Sequence, residues 1–155
     1  MSKNILLGIT GSVAASKSEI LFGKVSKNNN VKIITTDAGS KYLTSEFLKN
    51  NEIISSWEDL QGSPHIELAR WAEVFLIYPA TANFISKLAM GIADDLLLST
   101  VLMYNDPIYL APAMHEEMYL NPIIQKNILE LSKNNIVCGP RFGNLDIGDT
   151  GYGRM

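Results

Sequence analysis

A chain of 155 residues is the length of one domain and can bury roughly two thirds of the surface its unfolded form would expose. With 46% apolar residues and a formal net charge of −3 it has neither the composition of a disordered segment nor the basic footprint of a nucleic-acid binder, and a small-molecule partner is expected. The single cysteine, Cys138, excludes an intramolecular disulfide, the start of the chain lacks a signal-peptide pattern, and Lys87, Asp94 and Asp95 keep the apolar runs short of the ~20 residues that span a bilayer, so a soluble cytoplasmic protein away from the membrane is expected.

Residues 3–9, KNILLGI, are a continuous apolar run closed by Thr10-Gly11-Ser12, the pattern of a buried strand, and VAASKSEILFGKVSKN behind it has helical spacing. VKIITT, residues 31–36, reads as a second strand, parallel to the first because a helix intervenes. DAGSKYLTSEFLKN reads as a helix capped by Asp37, and residues 50–64 as irregular. PHIELARWA resumes a helical pattern with Pro64 in its first turn, and EVFLIYP is a third strand ended by Pro79. Residues 81–105 predict one or two helices with the break at Gly91, PIYLAP a fourth strand, NPIIQKNILELSKNN a helix capped by Asn121, and IVCGP a fifth strand with Cys138 buried in it. The last thirteen residues, GNLDIGDTGYGRM, hold four glycines and no periodicity; they read as a mobile flap or a disordered tail, without helix or strand.

Strands that alternate with helices and are apolar throughout predict an α/β fold, an open parallel sheet with helices on both faces, in a single domain over residues 1–155. Ligands of such sheets bind beyond the carboxyl ends of the strands, which singles out the loops at residues 10–14, 35–40, 79–83 and 112–119. In GITGSVAASK the glycine, threonine and serine sit where a strand passes into a helix, so main-chain N–H groups and hydroxyls can converge on a phosphate; an ordinary tight turn with a capping serine fits the stretch equally. In YPATANF, Thr81 and Asn83 follow a strand at the same sheet edge, as ligand groups or as a helix cap. The two histidines, His65 and His115, have no spacing that assembles a metal site, and either suits proton transfer or a plain surface role. Glu116 and Glu117 are first-turn residues favoured by the helix dipole.

Taken together, GITGSVAASK, residues 65–97 (HIELARWAEVFLIYPATANFISKLAMGIADDLL), APAMHEEMYLNPIIQKNI and GDTGYGRM resemble the flavin-dependent cysteine decarboxylases, most closely the phosphopantothenoylcysteine decarboxylases, in the family's order and over nearly the whole chain. The resemblance implies a Rossmann-like, flavodoxin-like FMN-binding subunit that assembles as a trimer or dodecamer, with its site near a subunit interface. Gly11, Ser12 and Val13 would then hold the FMN phosphate, and Thr36, Thr81, Ala82 and Asn83 would flank the cofactor with Ser99 nearby. Ala113, Met114 and Met118 would contact the substrate, a phosphorylated thiol acid. His65 and His115 would be the catalytic pair, with His65 carrying protons. The implied reaction oxidises the cysteine thiol to a thioaldehyde, releases CO2 and reduces the ene-thiol to phosphopantetheine, a step of coenzyme A synthesis. An oxidative decarboxylase that stops at the ene-thiol, or a flavin-binding subunit without catalysis, are the alternatives.

The chain leaves the family pattern at two positions. His115 stands where the family has an asparagine that grips the substrate carboxylate; a histidine also donates a hydrogen bond, more strongly when protonated. Ile147 stands where decarboxylases that complete the reduction carry a cysteine, and an isoleucine transfers no proton.

Overall fold

The structure, a computed structural model, describes residues 1–155, the side chain of Asp146 excepted. Six parallel strands form one sheet: β1 (Asn4–Ile9), β2 (Asn30–Thr35), β3 (Ile53–Ile54), β4 (Val74–Ala80), β5 (Tyr109–Pro112) and β6 (Ile136–Val137), in the order β3-β2-β1-β4-β5-β6. The alternation of strand and helix in the sequence produces this arrangement, because parallel neighbours need a crossover long enough for a helix. The fold is Rossmann-like and flavodoxin-like. β1 is the first strand laid down, and the order turns around it, so the switch point lies between β1 and β4.

Each central strand serves two cores because successive side chains point to opposite faces. On β1, Leu6 enters one core while Leu7 and Ile9 enter the other; on β2 the division is Ile34 against Ile33; on β4, Phe75 and Ile77 against Leu76 and Tyr78. The larger core is closed by α4 (Pro64–Trp71), α5 (Ala82–Ala89), α6 (Leu96–Met103) and α8 (Pro122–Ser132), through Leu68, Ile85, Leu88, Leu97 and Leu131. The smaller is closed by α1 (Ser16–Val25) and α3 (Ser45–Asn50), with Phe22 set edge-on to Phe47. Leu96 to Val101 are all buried, which explains why α6 is apolar on every side rather than striped.

Phe75 is fully buried and packs edge-on against Tyr104 at a centroid distance of 5.5 Å. Phe75→Ala would leave a void between sheet and helices that close packing cannot refill, and is expected to lower stability by about 3–5 kcal/mol. Urea denaturation with an unchanged m-value checks it; a loss within the range of a surface substitution would contradict this packing.

Several elements differ from the sequence-based expectation. The stretch after β2 is two short helices, α2 (Asp37–Ser40) and α3; the cap of the first is Thr36, whose Oγ1 accepts from the Gly39 N–H, and not Asp37. Thr44 caps the second by accepting from the Phe47 N–H at 3.2 Å, so a second capping threonine breaks the expected continuous helix. β3 lies within residues read as irregular. Strand β4 continues to Ala80 through Pro79, and the pairing with β5 shifts register there. Gly91, at φ +71°, separates α5 from α6 as expected, and Asp95 caps α6 by accepting from the Leu98 N–H at 2.7 Å. Cys138 is exposed and lies just past β6, not buried within a strand. The chain's last residues carry an antiparallel pair, β7 (Arg141–Asn144) and β8 (Thr150–Arg154), where no strand was expected.

Candidate functional site

A cleft of about 880 Å3 opens at the carboxyl ends of β1, β4 and β5, on the switch point. Its volume is near the top of the range of roughly 300–1,000 Å3 for small-ligand sites. Of the positions singled out from sequence, Gly11, Ser12, Val13, Thr36, Thr81, Ala82, Asn83, Ala113, Met114, His115 and Met118 all line it. Loops far apart in sequence meet there because a parallel sheet delivers every strand's carboxyl end to one edge.

The turn after β1 is rigidly built. The buried Thr10 donates through Oγ1 to the Pro79 carbonyl at 2.7 Å and accepts from the Thr81 N–H at 3.0 Å, which ties the first loop to the loop after β4. Ser12 caps the following 3-10 turn, its Oγ accepting from the Ala14 N–H and its carbonyl from the Ala15 N–H. Val13, at the first helical position, is left with an N–H that has no helical partner, the arrangement that suits an anion. Gly11 is required here: a Cβ on it would stand 2.4 Å from the Ala38 Cβ, so a side chain would drive the turn off α2. Thr81 does act as a cap, accepting from the Phe84 N–H at 3.1 Å, and it lines the cleft as well. The two readings of that residue are compatible.

The hairpin of β7 and β8 closes the cleft from the side of α7 (Glu116–Leu120). Met114 donates its N–H to the Gly153 carbonyl at 3.0 Å, and Tyr152 donates its N–H to Glu116 Oε1 at 2.9 Å. Gly153 has φ +136°, and a Cβ there would lie 1.9 Å from the Met114 carbonyl oxygen, so only glycine allows this approach. His115 is the third link. Its Nε2 meets Asp149 Oδ2 at 2.8 Å and its Nδ1 meets Glu117 Oε2. Hydrogen bonds that it donates to Glu117 and then to Asp149 raise its pKa above the ordinary imidazole value, while burial opposes. Both ring nitrogens therefore already face a carboxylate.

Two singled-out residues are not brought into the cleft. His65 lies at the start of α4, packed edge-on to Trp57 at 5.0 Å, with its buried Nδ1 lacking a hydrogen-bond partner. Ser99 is buried in α6 with its Oγ donating to the Ala93 carbonyl, one residue beyond the cleft-lining Leu98. Thr10, in the loop singled out after the first strand, lines the cleft as well. Residues not singled out from sequence also line it: Lys17, Tyr42, Asp95 and Arg154. Lys17 and Arg154 are ordinary surface types until the fold brings them together. Burial holds the Asp95 carboxyl above the usual range, with the Leu98 N–H pulling the other way and Asp94 adding to the rise.

The family profile described as Flavoprotein matches residues 1–155. Over 99% of its length the chain is 40% identical to the coenzyme A biosynthesis bifunctional protein CoaBC of Haemophilus influenzae and 36% identical to that of Bacillus subtilis. It spans only about 40% of the length of these curated relatives. Among solved structures, a cysteine-to-serine mutant of PPC decarboxylase complexed with pantothenoylaminoethenethiol superimposes with a TM-score of 0.91 at 31% identity, covering 100% of this chain and 91% of that one. The FMN binding protein AtHal3 gives 0.87 at 30% identity, covering 100% and 90%. No helix among the described residues is long and apolar enough to cross a membrane. With the cleft on the switch point, its glycine-lined turn and a match that leaves no part of the chain uncovered, the chain belongs to the Flavoprotein family.

Proposed function

We propose that the chain is an FMN-dependent carboxy-lyase that decarboxylates phosphopantothenoylcysteine on the way to phosphopantetheine, in coenzyme A synthesis. The observation that carries this is the cleft, where residues from every matching motif but the His65 block's start converge on one sheet edge. The residues fit the cofactor. The Gly11 turn is a main-chain cradle that a Cβ would fill, the Val13 N–H has no helical partner, and the cleft is roomy enough for a flavin together with a substrate. When bound, FMN supplies the two-electron oxidation of the substrate thiol and the return of those electrons after CO2 has left. Gly11, Ser12 and Val13 hold its phosphate, and Thr36, Thr81, Ala82, Asn83 and the neighbourhood of Ser99 position the ring system. Ala113, Met114 and Met118 form the substrate wall, and His115 lies at its polar end.

His65 has no place in its own chain's cleft, and this reading assigns it to the cleft of a second copy, within a cytoplasmic homotrimer or a dodecamer. Exposed Trp57 and Leu102 are apolar surface of the kind such an assembly covers. Light scattering is expected to return a trimer or a multiple of it, and a monomer at micromolar concentration would contradict the assignment of His65.

The protein should purify yellow, and incubation with phosphopantothenoylcysteine should release CO2. Gly11→Asp should abolish flavin binding, because its side chain meets Ala38 and sets a negative charge against the phosphate. A colourless protein that cannot be reconstituted with FMN would overturn the proposal. A second reading, oxidative decarboxylation that ends at the ene-thiol, is favoured by one observation. Ile147 lines the cleft where a thiol donor would be needed, and Cys138 does not line it. Product mass separates the two.

A further inference from the structure

Two basic side chains lie near each other in the cleft. Lys17, on the first turns of α1, and Arg154, at the end of β8, both line it. Neither forms an ion pair with a side-chain carboxylate among the described residues, whereas Lys87, the other lysine in the cleft, is paired with Asp94 at 2.7 Å. The only side-chain carboxylate lining the cleft among the described residues is Asp95, engaged with the Leu98 N–H. Lys17 is held in place, its Nζ donating to the main-chain oxygen of Met155 at 3.0 Å. The exposed Arg154 side chain lies across Gly143 on the facing strand, where a Cβ would stand 2.7 Å from the Arg154 Cδ. The two like charges repel each other, and the lysine pKa is pushed down by burial first and by Arg154 second. An anion of two charges seated between them removes that repulsion.

Resting on the proposed substrate, we propose that Lys17 and Arg154 form a phosphomonoester subsite, separate from the Gly11–Ser12 turn, that takes the phosphate of the substrate. A phosphomonoester carries about −1.5 to −2 charges at neutral pH and accepts several hydrogen bonds, which matches one ammonium and one guanidinium. Two features assign it to the substrate rather than the flavin. The turn after β1 has its own donors for a cofactor phosphate, and Arg154 belongs to the hairpin that docks on Met114 and His115, the substrate wall. The subsite makes the enzyme select a phosphorylated thiol acid over its dephosphorylated form.

The test uses the FMN-loaded protein and two ligands that differ only in the phosphate, phosphopantetheine and pantetheine, titrated by calorimetry. KM is measured in parallel for phosphopantothenoylcysteine and pantothenoylcysteine. Wild type should bind the phosphorylated forms far more tightly. Lys17→Met and Arg154→Met should each weaken them roughly 10-fold to 100-fold, the size of a lost charge-assisted contact, and leave the dephosphorylated forms nearly unchanged. Lys17→Arg should retain most of the preference. Equal binding of both forms by wild type overturns the proposal. So does equal weakening of both in the variants, which would mean only a loosened hairpin, and so does loss of FMN with riboflavin binding intact, which would give the two cations to the flavin. Discrimination without CO2 release leaves the subsite standing and removes the decarboxylase reading; CO2 release without discrimination does the reverse.

Discussion

His65→Asn is expected to purify with its full complement of FMN and to release CO2 at least ~100-fold more slowly, the range lost when a positioned proton-transfer group is removed. The flavin should stay because His65 is outside the cleft of its own chain and forms no part of the turn at Gly11. The imidazole is held by packing, edge-on to Trp57, and not by a hydrogen bond at Nδ1. A side chain so placed reaches a cleft only if another copy presents one. Mixing His65→Asn with Gly11→Asp chains, each inactive alone, should therefore restore part of the activity, because hybrid assemblies contain an intact cleft next to an intact His65. Full turnover by His65→Asn would remove it from the chemistry. Failure of the mixture to recover, with hybrid assemblies verified by mass, would place its role within one chain.

The sheet and the cleft were legible in the sequence to different depths. The runs at 3–9 and 31–36 are apolar on both faces and can belong only to a strand covered twice, and from there the ligand edge follows without side-chain detail. β3 escaped because two isoleucines among serines and charges are too short a run to carry a period. The break between α2 and α3 escaped because Thr36 and Thr44 are both caps, and a second cap inside a helical pattern looks like any other threonine. The hairpin had no apolar alternation to announce it. Its register is set by main-chain bonds to Met114 and Glu116, from residues 35 or more positions away. The same distance hides the pairing of His115 with Asp149, whereas Glu117, two residues on, is in plain view. Local chemistry marks where a ligand can bind, but contacts between separate segments appear only once the chain is folded.

The activity of the wild type is expected to fall as pH rises through the pKa of His115, and the fall should come at higher pH than an ordinary imidazole would give. His115 occupies the position that faces the substrate carboxylate under the proposed reading, and as a cation it offsets the negative charge of Glu117 and Asp149 beside that carboxylate and ties α7 to the hairpin through Asp149. Its pKa is raised in the folded protein, so the stabilisation it provides is complete below the unfolded value and is lost as pH rises through the folded one. Asp149→Asn removes one of the two carboxylates responsible and should move the midpoint of the pH profile downward. His115→Asn should flatten the profile while keeping turnover, since an amide donates a hydrogen bond without titrating. A wild-type profile that does not fall across this range, or His115→Asn without activity, would defeat the assignment. Ile147 lines the same cleft from the hairpin and offers no proton. Cys138 is exposed beyond β6 and is no substitute within the chain. If no other group supplies that proton, wild type accumulates the ene-thiol, and Ile147→Cys should shift product mass by two hydrogens toward phosphopantetheine. Saturated product from wild type would instead require a donor other than residue 147, and the titratable group of the cleft that bonds to the start of the hairpin's second strand is His115, held between Glu117 and Asp149. In that event the low-pH limb of the same profile would carry the reduction as well as the binding, and Ile147→Cys would leave the product unchanged while broadening activity toward higher pH.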